Sequence, residues 1–304
     1  MIERISLTTA DPERLARFFE RALGFAQIGI AERGGTNFAQ LMGLPGARAR
    51  ADALRLGGQE MELLAFAERG APYPAESASN DRVFQHFAIV VSDMQRAYAR
   101  LRESTGWRPI TRGEPQLLPA SSGGVTAFKF RDPEGHPLEL LHFPRGHAPP
   151  PWQQEAATGP ALGIDHSAIA VADTATSVAF YERLLGLSVA ARSLNRGGEQ
   201  ERLDGLTGAV VDVTALADAA GSAPHLELLC YRAPPGGKDS ALRSNDIAAT
   251  RLVVRLSDKQ TLAQCITDAG HSLISPGMVE TDDGTSAALL RDPDGHFLLL
   301  TAGP

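Results

Sequence analysis

The sequence predicts an α+β fold built from four tandem βαβββ modules, and three observations carry that reading. A strand–turn–strand phrase occurs twice, as FKFRDPEGHPLELLHF over Phe128–Phe143 and as ALLRDPDGHFLLL over Ala288–Leu300. In both copies proline pre-sets a turn and glycine tolerates positive φ, so two apolar runs fold back on each other. The two halves of the chain also match at nearly one spacing. FFERALGF at 18–25 matches FYERLLGL at 180–187, and GLPGA at 43–47 matches GLTGA at 205–209, each offset by 162. SND at 79–81 returns at 244–246, offset by 165. A period that long is no solenoid repeat and reads as duplicated domains. Lastly, four short apolar strands each end near an aspartate (Asp11, Asp93, Asp173, Asp258) that is placed to start a helix.

The first module opens with a strand over Ile5–Thr9. Asp11-Pro12 then starts a helix as cap and first-turn proline, Leu15, Phe18, Phe19 and Leu23 recur at helical spacing, and Gly24 stops it. Ala53–Phe66 is a hairpin about Gly57-Gly58, and residues 69–81 form a Pro/Ser/Asn-rich connector. The second module has a strand over Val83–Val91, a helix from Asp93 to about Thr105, a return to strand at Trp107–Pro109, and the first copy of the hairpin. Residues 144–160, PRGHAPPPWQQEAATGP, read as a linker whose prolines and polar residues hold no packed element. The expected domains are residues 1–145 (modules one and two) and 162–304 (modules three and four), joined by a linker over 146–161. The third module opens with Ile164–Val171, continues through a helix carrying Val178, Tyr181, Leu184 and Leu185, and ends with the strand Leu226–Tyr231. The fourth opens with Thr250–Leu256, has a helix from Asp258 to Ala269, and closes on the second hairpin.

At 43% hydrophobic and 21% charged residues, the 304-residue chain has the apolar content of a globular protein with two cores. A net charge of −7 and a pI near 5.6 lack the basic footprint that nucleic acid or an anionic membrane requires. No apolar run reaches the roughly 18 residues of a membrane span. The opening MIERISLTTADPER has no apolar signal-peptide core, and Cys230 and Cys265 are too few for a disulfide scaffold, so a cytoplasmic protein is expected. None of the Gly-Gly pairs belongs to a phosphate loop with following Lys and Ser/Thr.

The strand-to-Asp opening, the βαβββ grammar and the RDPEGHPLELL hairpin together resemble the vicinal oxygen chelate superfamily. That superfamily contains glyoxalase I, bleomycin- and fosfomycin-resistance proteins, methylmalonyl-CoA epimerase and extradiol ring-cleavage dioxygenases. The resemblance covers nearly all of the chain outside the linker. It implies that modules pair into two curved, half-open mixed-sheet barrels around a divalent metal. Ligands then come from the first strand of each module, often His, and from its last strand, usually Glu. The first-strand position lies seven residues before the capping aspartate, at Arg4, His86, His166 and Arg251, and the last-strand position is Glu62, Glu139, Glu227 and Leu299. If the second module pairs with the third, the resemblance implies one metal site of His86, Glu139, His166 and Glu227, suited to Ni, Co, Zn, Mn or Fe.

Two module pairings are open. Neighbour pairing would leave each barrel with a broken set: Glu62, His86 and Glu139 beside Arg4, and His166 and Glu227 beside Arg251. Pairing the second module with the third, as in glyoxalase I enzymes with sites between halves, gives one complete set and one degenerate barrel. The second arrangement is favoured as the simpler outcome of divergence after duplication. A lone strand glutamate usually meets an arginine or faces solvent. Four matched positions in this fold favour a metal instead, because a carboxylate among leucines is costly unless paired or coordinated.

Two imidazoles and two carboxylates leave two octahedral positions for adjacent oxygens of a small substrate. The glyoxalase-like reading is an isomerase or lyase in which the metal stabilises an enediolate and Glu139 or Glu227 moves the proton. The alternatives are an extradiol-type dioxygenase and a metal-free ligand-binding protein of the bleomycin-resistance kind. The expected partner is a small-molecule substrate, with no nucleic acid or membrane, and homodimerisation is left open. Arg4, Arg251 and Glu62 read either as an ion-pair cluster in place of a metal or as an anion pocket. His136 and His296 follow turn glycines in both hairpins and read as turn-associated, and His142 is out of step with Glu139 and should face away.

Overall fold

The computed structural model describes residues 2–153, 159–237 and 241–303, so residues 154–158 of the expected linker lie outside it. The first module comprises β1 (Ile2–Thr8), α1 (Pro12–Phe18, continued by a π-helical turn over Phe19–Leu23), β2 (Ala26–Arg33), α2 (Gly35–Met42), β3 (Ala49–Leu56) and β4 (Gln59–Phe66). The second comprises β5 (Gln85–Val91), α3 (Met94–Glu103), β6 (Arg108–Pro109), β7 (Gln116–Leu117), β8 (Thr126–Arg131) and β9 (Pro137–His142). In the third are β10 (Ala161–Ala170), α4 (Thr174–Leu185), β11 (Ser188–Arg196), α5 (Gly198–Asp204), β12 (Val210–Ala217) and β13 (His225–Ala233). The fourth holds β14 (Thr250–Leu256), α6 (Lys259–Ala269), β15 (Val279–Glu280), β16 (Ser286–Arg291) and β17 (Phe297–Ala302). Each predicted aspartate caps its helix, accepting the N–H of Arg14, Arg96, Thr176 or Thr261 at 2.9, 3.0, 2.7 and 2.8 Å. Helices α2 and α5 were not foreseen. They end at Gly43 and Gly205 with φ of 63° and 66°, which explains why GLPGA and GLTGA recur.

The modules pair second with third and first with fourth. One sheet has the order β15-β16-β17-β14-β1-β4-β3-β2 and the other β11-β12-β13-β10-β5-β9-β8-β6, with β7 on β8. At each centre the two first strands run antiparallel, β1 on β14 and β5 on β10, and each is parallel to the last strand of its own module. This is the pairing favoured from the distribution of His and Glu. The sheets' outer faces share one core with all four main helices, including Phe19 of α1, Leu101 of α3, Tyr181 of α4 and Leu262 of α6, each fully buried.

The repeated motifs stitch this arrangement. Ser79 donates to Asp204 O at the end of α5, and Ser244 donates to Met42 O at the end of α2, so each SND clasps the module that its own module pairs with. The hairpin turns work across the sheets. Glu134 accepts Thr9 Oγ1, Ala10 N and Asp11 N, each at 2.9 Å, and Asp294 accepts Ala172 N at 3.0 Å. Within the turn, Asp132 Oδ1 accepts the N–H groups of Glu134, Gly135 and His136, and Gly135 sits at φ 105°, where a side chain would be strained.

His136 and His296 are turn-associated as expected, and they also reach out of the turn. His136 Nε2 lies 2.9 Å from Thr8 O and 2.9 Å from Ile247 O, while His296 Nε2 lies 2.9 Å from Ala170 O. One expectation needs correction. The proline-rich segment does hold a packed element, a 3₁₀ turn over Pro150–Trp152 that buries Trp152. Three prolines restrict the backbone enough for a short turn, and one indole supplies the apolar area that the rest of the segment lacks. No helix among the described residues is long and apolar enough to cross a membrane.

Candidate metal centre

The centre of the β5/β10 sheet is built by register. His86 faces Ala168 across the antiparallel pair, and His166 faces Ala88. In the parallel pairs Ala88 is beside Glu139, and Ala168 is beside Glu227. Alternation along each strand therefore puts all four predicted residues on one face, around two fully buried alanines whose small side chains leave room between them. They line a cavity of about 660 Å³.

Three of the four converge tightly. Ligand atoms of His86, Glu139 and His166 lie within 4.8 Å of one another. His86 Nε2 is 2.8 Å from Glu139 Oε2, and His166 Nε2 is 3.9 Å from the same oxygen. Glu227 stands at the rim, with Oε2 3.6 Å from His166 Nε2 and a side chain 21% exposed against 7% for Glu139. His142 lies outside this cavity, as expected, and lines a groove beside Ser92 and Tyr98.

The donor set fits a divalent ion. His166 Nε2 is buried without a hydrogen-bond partner, while its Nδ1 lies 2.9 Å from Asp165 Oδ2. A carboxylate on Nδ1 keeps the proton there when the ring is neutral, so that Nε2 then presents its lone pair, the outer-shell arrangement that orients metal-ligating histidines. Electrostatics agree. Burial works against a charge on His166, but the Glu227 carboxylate, the bond with Asp165 and the nearby Glu139 carboxylate hold its pKa well above the ordinary imidazole value. His86 moves the opposite way, lowered by burial and by the Lys129 charge. Burial pushes Glu139 up, yet the nearby His166 ring and the hydrogen bond with His86 outweigh it and keep it well below the usual carboxylate range. Glu227, likewise opposed by burial, is brought to about 2 mainly by the His166 charge. The cluster thus carries an excess of negative charge that one imidazolium offsets, and a dication would offset it more fully.

Four participants were not foreseen. Asp165 should alternate away from His166, but the pairing of β10 with β5 shifts between Ile164 and His166, and this bulge leaves Asp165 beside the ring. His225 sits two residues before Glu227 on the same strand face, its Nε2 3.6 Å from Glu227 Oε1 and its Nδ1 3.8 Å from Asp165 Oδ2. Period-two reading back from Glu227 would have found it. Lys129 pairs across strands with Glu139 and is buried, its Nζ 2.7 Å from Asp204 Oδ1. Trp152, from the segment expected to be unpacked, donates Nε1–H to Asp165 Oδ1 at 2.6 Å.

The opposite barrel has the same register with other residues. Arg4 faces Val253 and Ser6 faces Arg251, while Glu62 and Leu299 flank Ser6 and Val253. The expected ion-pair cluster is not formed as such. Arg4 lies 3.3 Å from Glu3, Glu62 accepts from Ser6 Oγ at 2.8 Å, and Arg251 bonds to Thr8 Oγ1 and main-chain carbonyls. Glu3 is the counterpart of Asp165, displaced by an equivalent register shift in β1.

Comparison with known proteins agrees with this architecture. The family model for the Glyoxalase/Bleomycin resistance protein/Dioxygenase superfamily matches residues 1–140 and 163–300. The chain belongs to that superfamily. No curated protein matches it. Among solved structures, glyoxalase I from Zea mays superposes with a TM-score of 0.61 at 16% identity, covering 99% of this chain and 92% of that one. A putative dioxygenase from Bacillus subtilis superposes with a TM-score of 0.59 at 13% identity, covering 100% and 85%. At these identities the likeness is one of fold.

Proposed function

We propose that the β5/β10 cleft holds one divalent metal between His86, Glu139, His166 and Glu227, and that the protein is a glyoxalase-type isomerase or lyase acting on a small oxygen-chelating substrate. The observation that carries this reading is His166, with an unpartnered buried Nε2 facing two carboxylates and Asp165 on its Nδ1. When bound, the metal supplies Lewis acidity towards two adjacent substrate oxygens. The chain's own residues divide the remaining work. Glu139, held by both histidines, stays in place as a ligand. Glu227, at the rim and beside His225, is the carboxylate free to swing and take a proton from substrate at Oε, with His225 positioned to pass that proton outward. Leu118, Leu141, Phe143 and Trp152 wall the cleft and exclude water around the reacting carbons.

A second reading rests on one observation. The tight trio of His86, His166 and Glu139 is a two-His, one-carboxylate set, the ligand pattern of non-haem Fe²⁺ oxygenases, with Glu227 set apart. Metal analysis of the purified protein, followed by proton-exchange and oxygen-uptake assays after loading with Ni²⁺, Zn²⁺ or Fe²⁺, tests both. Substrate proton exchange without oxygen uptake is expected. Oxygen consumption that requires Fe²⁺ would transfer the assignment to the oxygenase reading. Failure to bind any of these ions would overturn both readings.

A further inference from the structure

We propose that the β1/β14 barrel is a second binding site, which takes a small monocarboxylate with an apolar body rather than a metal. Its counterparts of the four metal-site positions, Arg4, Glu62, Arg251 and Leu299, all line one cavity of about 390 Å³. That volume is within the range of small-molecule sites.

Arg251 is the central observation. It is fully buried, donates through its terminal nitrogens to Thr8 Oγ1, Ala249 O and Ser244 O, and leaves Nε without a partner. Among the described residues no carboxylate lies within ion-pair distance of it. Phe66 and Phe297 flank its guanidinium at 5.7 and 5.8 Å, a low-dielectric setting that strengthens attraction to an anion. A buried guanidinium held by neutral acceptors retains a charge whose burial is costly, and an incoming carboxylate offsets that cost. Arg4 adds a second, half-buried guanidinium across the centre.

Charge and shape narrow the ligand. Arg4 is paired with Glu3, so Arg251 is the charge among the four positions that lacks a carboxylate partner; one carboxylate meets it, whereas a phosphate dianion would stand beside Glu62. Phe38, Leu41, Met42, Leu64 and Leu299 supply apolar wall, suited to a short fatty acid or an aromatic acid. Arginine cations and a leucine exclude a divalent ion here.

The test uses the full chain, with octanoate, benzoate and inorganic phosphate as probes in calorimetry and thermal-shift measurements. Octanoate or benzoate should bind wild type at sub-millimolar Kd, to order of magnitude, and equally well to His166→Ala, whose change is confined to the other barrel. Leu299→Trp fills the cavity and leaves every Arg251 hydrogen bond in place. It should weaken binding at least about tenfold. Arg251→Met should do the same, and the Leu299 variant decides the matter if Arg251→Met does not fold. Absence of carboxylate binding to wild type, binding that survives Leu299→Trp, binding lost in His166→Ala, or a response to phosphate alone would each overturn the proposal. None of these outcomes depends on whether the first barrel holds a metal.

Discussion

The two barrels share a register and differ at six inward-facing positions. His86, Glu139, His166 and Glu227 surround Ala88 and Ala168 in one, while Arg251, Leu299, Arg4 and Glu62 surround Val253 and Ser6 in the other. Even the supporting bulge is duplicated, bringing Asp165 against His166 and Glu3 against Arg4. The contrast teaches that the sheet supplies addresses and the side chains supply the chemistry. With neutral imidazoles the first set has a charge of −2 and offers lone pairs, whereas the second sets two guanidinium groups, which only donate, beside the single carboxylate of Glu62. Small alanines at one centre leave room for an ion between the four side chains, whereas the other centre has Val253 and Ser6 at those two positions.

The largest expected effect comes from removing the first barrel's imidazoles. His86→Ala and His166→Ala should each lower metal affinity by more than about 100-fold, since loss of an outer-shell partner alone costs about 10- to 100-fold. Glu62→Gln, at the matching address of the other barrel, should retain full metal content by elemental analysis. Metal loss in Glu62→Gln with retention in His166→Ala would reverse the roles of the barrels.

Next in size is Asp165→Asn, which keeps every ligand and weakens only the hold on His166 Nδ1. About 10- to 100-fold weaker metal binding in a chelator competition is expected. The corresponding Glu3→Gln should leave metal affinity unchanged. Equal effects from the two variants would show that the bulge acts through the fold and not through His166.

Arg251→Met removes the guanidinium donor from Thr8 Oγ1, Ser244 O and Ala249 O, leaving only the Thr8 hydroxyl on the two carbonyls, and should cost about 1–3 kcal/mol in urea unfolding without changing metal content. A variant as stable as wild type would mean that these acceptors find other partners.

The smallest effect is the pH dependence that Glu227 and His166 contribute in the metal-free protein. Glu227 has a folded pKa of about 2 against an ordinary 4.5, so its stabilising contribution is present above pH 4.5 and is lost as pH falls towards 2. His166 has the opposite sign, because its raised pKa stabilises the folded state below pH 6.5 and that contribution fades as pH rises through the folded value. Glu227→Gln should flatten the acid limb of a pH–stability curve between pH 4.5 and 2. An unchanged limb would place the acid sensitivity elsewhere.

Much of this protein was determined locally. Helix starts were legible because an aspartate cap bonds only three residues ahead, and the RDPEGH hairpin because its turn closes within itself. The four inward addresses could be counted from those caps because strand alternation is strict over a few residues. Asp165 escaped that count because a bulge breaks alternation, and Trp152 because its burial depends on a strand outside its own segment. Whether module two would meet module one or module three was left to the tertiary structure. The distribution of His and Glu favoured one answer, but a strand edge carries the same main-chain donors and acceptors whichever partner it meets. The choice therefore falls to contacts as distant in sequence as Ser244 with Met42 and Ser79 with Asp204, which exist only once the chain has closed.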